Sequence, residues 1–270
     1  MSRVAEELPW ADEDGELEPL EHGGPRGLAF SFLALVPLFV AYELSLPAIG
    51  ERATAERAGT YLLRIFGDHE AALRWGALGA FAAWAGWRVA AAEFERGRAA
   101  LLMLLEAAAF ALLLGPFLLF VLRWSPVDLG ALTLDAGVPR PSLEGVAHVV
   151  GSAAWEEVLV RLGLFSLVFL VVIRLFSFFG APRRLAEFVS DTVALIVSSL
   201  GFAALHLDEV ARWVGTTGEP FDRHVFLWRT LAGLALAALY RWRGLGVATW
   251  THALYNLGFA IGASPAVFLV

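Results

Sequence analysis

The sequence predicts an all-α protein, a polytopic transmembrane bundle of seven or eight helices. Three observations carry this expectation. First, 58% of the 270 residues are hydrophobic and only 17% are charged, with a mean hydropathy of +0.65, well away from the balance of soluble domains. Second, the apolar residues gather into separate runs of the length a helix needs to cross hydrocarbon, about 20 residues. Third, no ten-residue segments of alternating polarity are visible, so a barrel is not indicated, and unpaired backbone cannot face lipid.

The runs fall at roughly 27–47, 72–92, 99–122, 143–179, 188–207, 224–240 and 244–262. The 143–179 region is long enough for one long helix or for two with a break near Gly151. Two domains of unequal kind are expected. Residues 1–26 form an acidic, Pro- and Gly-containing tail too polar to bury a core, and 27–270 form the membrane domain, with its motif-bearing core at about 140–260. The tail is read as a solvated leader, since a signal peptide would open with positive charge and then an apolar run.

Composition narrows the chemistry. There is no cysteine, so disulfides, thiolate metal sites and cysteine nucleophiles are excluded. All 20 basic residues are arginine, which with the Ala and Gly richness points to a GC-rich bacterial genome. The arginines Arg88, Arg96, Arg98, Arg174, Arg183, Arg184, Arg241 and Arg243 fall on alternate inter-helix segments. The others carry acids such as Glu51, Glu56, Asp208, Glu209, Glu219 and Asp222, so the positive-inside rule makes the arginine side cytoplasmic. Nothing suggests nucleic-acid binding. The expected location is the bacterial inner membrane, with seven spans leaving the C-terminus outside.

Ionisable groups inside a span are expensive and mark function by default. The stretch Gly151–Arg161 contains Glu156, Glu157 and Arg161. At i,i+4, Glu157 and Arg161 can pair, whereas Glu156 points about 100° away and has no sequence-local partner. Two later runs supply imidazoles: Phe202 and His206 are at i,i+4, and so are His252 and Asn256. A carboxylate and imidazole can deprotonate a water, and imidazole and amide N–H groups can stabilise an oxyanion. Glu156, His206 and His252 are also a His₂Glu zinc-type set, although the HExxH spacing is absent. His148 and Ser152 share a face with Glu156 and could orient it or merely line the helix. Glu43, Glu106 and Arg229 are read as interfacial or interhelical partners, Ser198 and Ser199 as small packing residues, and His22, His69 and His224 carry no expected role.

The ordered elements Glu156-Glu157-x-x-x-Arg161, Phe202-x-x-x-His206 and His252-x-x-x-Asn256 resemble the CAAX protease and bacteriocin-processing (CPBP, or Abi) family of intramembrane endopeptidases, over about residues 140–260. The family includes the type II CAAX prenyl proteases, and the bacterial myxosortase subgroup is similar in motif. The resemblance implies Glu156 as general base with His206, His252 and Asn256 as the oxyanion pair, and Glu157, Arg161 and Phe202 as supports of the site, Glu157 also helping to position water. It further implies no cofactor, with zinc or another divalent metal on Glu156, His206 and His252 as the alternative. The partners would be the bilayer and a membrane-anchored protein or peptide substrate. The competing expectations are a non-catalytic scaffold or immunity protein with the same bundle and, less favoured without an internal repeat, a proton-coupled transporter.

Overall fold

The computed structural model describes residues 27–124 and 142–260; the acidic tail 1–26 lies outside the described residues. Ten α-helices are present among these: α1 (Leu28–Ile49), α2 (Thr54–Gly59), α3 (Glu70–Ala91), α4 (Arg96–Arg123), α5 (Leu143–Glu157), α6 (Ser166–Phe178), α7 (Arg183–Ala204), α8 (Asp208–Val214), α9 (Arg223–Arg243) and α10 (Leu245–Ala260). Among the described residues there is no strand, only one isolated bridge between Leu207 and Glu219. The all-helical expectation therefore holds.

The count of spans does not. Among the described residues four helical segments are long and apolar enough to cross a membrane: Leu28–Ile49, Arg96–Arg123, Leu143–Phe178 and Arg183–Ala204. The expected seven or eight exceed this number for compositional reasons. The α3 helix is built largely of Ala, Gly and Trp around Arg74 and Arg88, α9 carries Arg229 along its length and Arg241 and Arg243 at its end, and α10 is described over 16 residues, to Ala260.

Nor is there a break at Gly151. The chain runs as one 36-residue helical segment from Leu143 to Phe178, started by Ser142, whose hydroxyl accepts from the Gly145 N–H, as an N-cap should. What interrupts it is a wider π-helical stretch, Val158–Phe165, lying immediately after Glu157. Such stretches are rare and collect at functional sites.

Helix α5 packs against α1 and α10, α10 also against α4 and α9, and α7 against α6 and α9. Close approach depends on small residues, as expected where lipid supplies no hydrophobic drive between helices. Gly233 of α9 lies on Ser199 of α7, where a Cβ would stand 3.1 Å from the Ser199 Cα, and Gly246 of α10 lies on Met103. Gly151 is the tightest case for backbone: a Cβ there would sit 2.6 Å from Tyr42 Cβ and 2.7 Å from the Leu38 carbonyl oxygen. Gly151→Ala is expected to push α5 off α1 and cost about 1–3 kcal/mol, the usual penalty of overpacking. A lowered unfolding temperature of the purified protein in detergent would register this; an unchanged one would contradict the packing described.

The outward face is apolar. Leu101, Leu105, Leu112, Phe117 and Phe120 of α4, and Leu167, Leu170, Val171 and Leu175 of α6, are exposed, and α6 buries no residue at all. Exposed apolar area of this extent belongs against lipid. The chain is an integral membrane protein.

Candidate active site

Helices α5, α7 and α10 deliver the motif residues to one place. Glu157 is fully buried. Its Oε2 pairs with Arg161 Nε at 3.1 Å, and its Oε1 bonds His252 Nδ1 at 2.9 Å. The i,i+4 pair foreseen from the sequence is present, but Glu157 also orients an imidazole on a helix far along the chain. Arg161, with no exposed surface, donates from Nη2 to the Gly233 carbonyl at 3.1 Å and lies over the Phe202 ring at 4.8 Å. Two buried opposite charges paired in this way are tolerable; either one alone would not be.

Glu156 projects elsewhere. Its Oε2 lies 3.9 Å from His206 Nε2 and 3.7 Å from His252 Nε2, and among the described residues no group hydrogen-bonds this buried oxygen. Phe202 stands between the two imidazoles, edge-on to both, with ring centroids 5.2 Å from His206 and 5.4 Å from His252. This explains why a phenylalanine accompanies the histidine one turn later: the ring separates two polar groups and carries the Arg161 guanidinium on its face.

Tautomers follow from the partners. His206 Nδ1 is 3.0 Å from the Phe202 carbonyl, an acceptor only, so Nδ1 carries the hydrogen and a neutral ring presents the Nε2 lone pair toward Glu156. His252 Nδ1 faces the Glu157 carboxylate and is likewise the protonated nitrogen. Its Nε2, when protonated too, makes the ring a cation facing the same space. Asn256 is one turn further along α10 and donates from Nδ2 to the Val149 carbonyl at 3.4 Å, leaving its second N–H free for another acceptor. Ser152, on the same face as Glu156, spends its hydroxyl on the Val149 carbonyl at 3.0 Å. His148 meets the Ser45 hydroxyl at 3.3 Å and the Tyr42 ring at 4.9 Å.

A short connection closes over His206. The Glu219 N–H donates to the His206 carbonyl at 2.9 Å, and the Asp208 N–H to the Glu219 carbonyl at 2.9 Å. The Glu219 carboxylate accepts from Arg229 at 2.8 Å, and that bond holds its carboxyl below the ordinary value. Arg229, expected either to pair with a carboxylate of another span or to snorkel, pairs with Glu219 in this connection. Asp222 then caps α9, accepting from the His224 and Val225 N–H groups, bonds that lower its own carboxyl pKa.

Several other polar groups pair away from this cluster. Glu106 pairs with Arg243 of α9, and the hydroxyls of Ser198 and Ser199 both donate to the Leu195 carbonyl. One cluster is not foreseen from the sequence. Glu56, expected in an acid-rich exposed segment, is completely buried; it binds Tyr42 Oη at 2.7 Å and also Arg74 and Arg52, while Arg74 holds Glu43 at 2.6 Å. Arg74, a cation inside an apolar run, is the signal that could have found it, because a cation so placed must be paired, although its helical neighbour Glu70 at i−4 offers a nearer partner on paper.

Glu156 and the two histidines are donors of a type suited to a divalent metal. Among the described residues, however, no group of three or more His, Asp or Glu side chains is placed to hold an ion.

Residues 139–258 match the protein-family model described as Rce1-like, type II CAAX prenyl endopeptidase. The matched region begins just before α5 and ends in α10, and so contains every side chain described around Glu156. No curated protein and no solved structure matches the chain. Over residues 139–258 the chain is therefore similar to the Rce1-like, type II CAAX prenyl endopeptidase family, the resemblance that its ordered motifs lead one to expect.

Proposed function

We propose that the protein is a glutamic intramembrane endopeptidase of the bacterial inner membrane, which hydrolyses a peptide bond in a membrane-anchored protein or peptide precursor. The observation that carries this reading is the buried, unbonded Glu156 Oε2 lying within 4 Å of two imidazoles from different helices. A carboxylate oxygen left open beside two imidazoles is what a water-activating base requires, and this supports the catalytic reading over a scaffold role.

A water between Glu156 Oε2 and His206 Nε2 would donate to both acceptors at once. Glu156 takes one of its protons as the water oxygen bonds to the scissile carbonyl carbon. The carbonyl oxygen gains negative charge as it does so, and His252 Nε2–H and the free Asn256 N–H donate to it. Collapse of the tetrahedral intermediate breaks the C–N bond, and Glu156 returns the proton to the leaving amine. Charge stays balanced through the buried set: Glu157 and Glu156 offset Arg161 and a protonated His252. No step uses a metal, and the substrate form proposed is a C-terminal processing or sorting signal, as in the similar myxosortases.

The test is cleavage of a membrane-tethered reporter by the purified protein in liposomes. Activity should survive a strong chelator. His252→Ala and Asn256→Ala should each lower kcat by about 10²–10³, the effect of removing one oxyanion donor. Full activity in His252→Ala would sink the mechanism, and loss on chelation with recovery on added zinc would replace it with the metal-dependent alternative.

A further inference from the structure

A cavity of about 400 Å³ opens beside the set around Glu156, none of whose side chains lines it. Along α10 its lining residue Val247 comes five residues, about 7.5 Å, before His252. The cavity lies where α4 starts, between α4, the first turn of α1 and the junction of α9 with α10.

Its lining has two parts. Leu102, Met103 and Val247 form apolar wall, while Glu95, Arg98, Glu106 and Arg243 supply charge. The charges are paired: Arg98 with Glu95 at 3.8 Å on the open rim, and Arg243 with Glu106 further in. Along α4, Arg98 and Glu106 are eight residues apart, about 12 Å, so the two pairs bracket the cleft lengthwise. Leu102 lines the cavity and is also half exposed, continuous with Leu101 and Leu105 on the bilayer-facing side of α4. An occupant can therefore place a polar group between the ion pairs and leave by that face into hydrocarbon.

From this we infer that the cavity binds the headgroup of a zwitterionic phospholipid bearing a primary ammonium, the phosphoethanolamine class, with its acyl chains along α4. Two guanidinium and two carboxylate groups make the lining neutral. An anion alone would face both carboxylates, and a cation both arginines. A phosphate joined to an ammonium meets one partner of each sign at each end. Arginine suits the phosphate because it donates in a planar fork. A primary ammonium has three hydrogens to give to carboxylate oxygens, whereas the quaternary ammonium of a choline headgroup has none. Continuity with the lipid face distinguishes a lipid from a soluble phosphate ester. The inference does not depend on the proteolytic reading.

The experiment is native mass spectrometry of the full, delipidated chain in detergent, offered equimolar phosphatidylethanolamine, phosphatidylcholine and phosphatidylglycerol of identical chains. Phosphatidylethanolamine should be retained about tenfold over phosphatidylcholine, roughly 1.4 kcal/mol, and over phosphatidylglycerol as well. Soluble phosphoethanolamine at the same concentration should not displace it. The double variant Glu95→Gln/Arg98→Gln changes two side chains that are 78% and 74% exposed, so it should fold normally yet bind the three lipids alike. Equal binding of all three lipids by the unaltered chain, preference for phosphatidylglycerol, displacement by the soluble headgroup, or undiminished selectivity in the double variant would each overturn the assignment.

Discussion

Glu156→Gln is expected to lower the rate of peptide hydrolysis by about 10²–10⁴, the usual contribution of a positioned general base, while leaving the protein folded. The substitution keeps the shape of the side chain, and the side chain it replaces has no bond to lose on Oε2. Among the described residues its ionisable neighbours there are His206 and His252 at 3.9 and 3.7 Å. What disappears is the capacity to take a proton from water and return it to the amine. His206→Ala should fall in the same direction by removing the second acceptor of that water. Because both act on one proton transfer, the double variant should be little worse than the weaker single one. The measurement is single-turnover cleavage in liposomes, together with an unfolding profile to show that stability is retained. A Glu156→Gln protein that cuts at the original rate would remove Glu156 from the chemistry altogether.

The second large effect is on stability. Glu157→Ala leaves Arg161 fully buried without its carboxylate, and breaking one side of a buried ion pair costs about 3–5 kcal/mol. It also releases His252, whose Nδ1 loses its acceptor at 2.9 Å. Loss of expression or a large drop in the unfolding temperature is expected, with activity lost as well. Arg161→Ala should be comparably destabilising through the orphaned Glu157, the emptied face of Phe202 and the lost bond to the Gly233 carbonyl. The paired replacement Glu157→Leu/Arg161→Met removes both charges and should recover much of the stability, because apolar residues of similar volume often replace buried ion pairs without loss. It should recover no activity, since His252 is still unoriented. That split separates the structural from the functional part of the motif. If Glu157→Ala unfolds at the original temperature, the pair is not buried as described.

The adjacent glutamates thus differ in what they do, and helical spacing alone indicates the difference. Glu157 and Arg161 are four apart and pair; Glu156 is one residue off and cannot. The i,i+4 relations Phe202/His206 and His252/Asn256 are legible for the same reason, since helical phase is a local property. Periodicity does not reveal that Glu157 also holds His252. That contact joins residues 95 apart and exists only because α10 packs on α5. The π-helical stretch after Glu157 is equally hidden, as nothing in Val158–Phe165 departs from an ordinary apolar helix. The span count from sequence exceeds the four long apolar helices found among the described residues because apolar runs identify buried helices as readily as lipid-crossing ones, and α3 and α9 are of the arginine-bearing kind. Glu56 is misplaced because the sequence displays an acid in a polar connection and not the Arg74 guanidinium that draws it inside.

By itself the sequence determined the helical class, the membrane setting and which side chains share a helical face, because these follow from composition and from a 3.6-residue period. Tertiary structure decided which faces meet. It set Glu156 against two imidazoles, enclosed Arg161 between a carboxylate, a carbonyl and a ring, and buried Glu56 with Arg74. Those outcomes rest on close helix approach at Gly151, Gly233 and Gly246 and on the high cost of leaving a charge unpaired away from water, and neither is a property of any one segment of the chain.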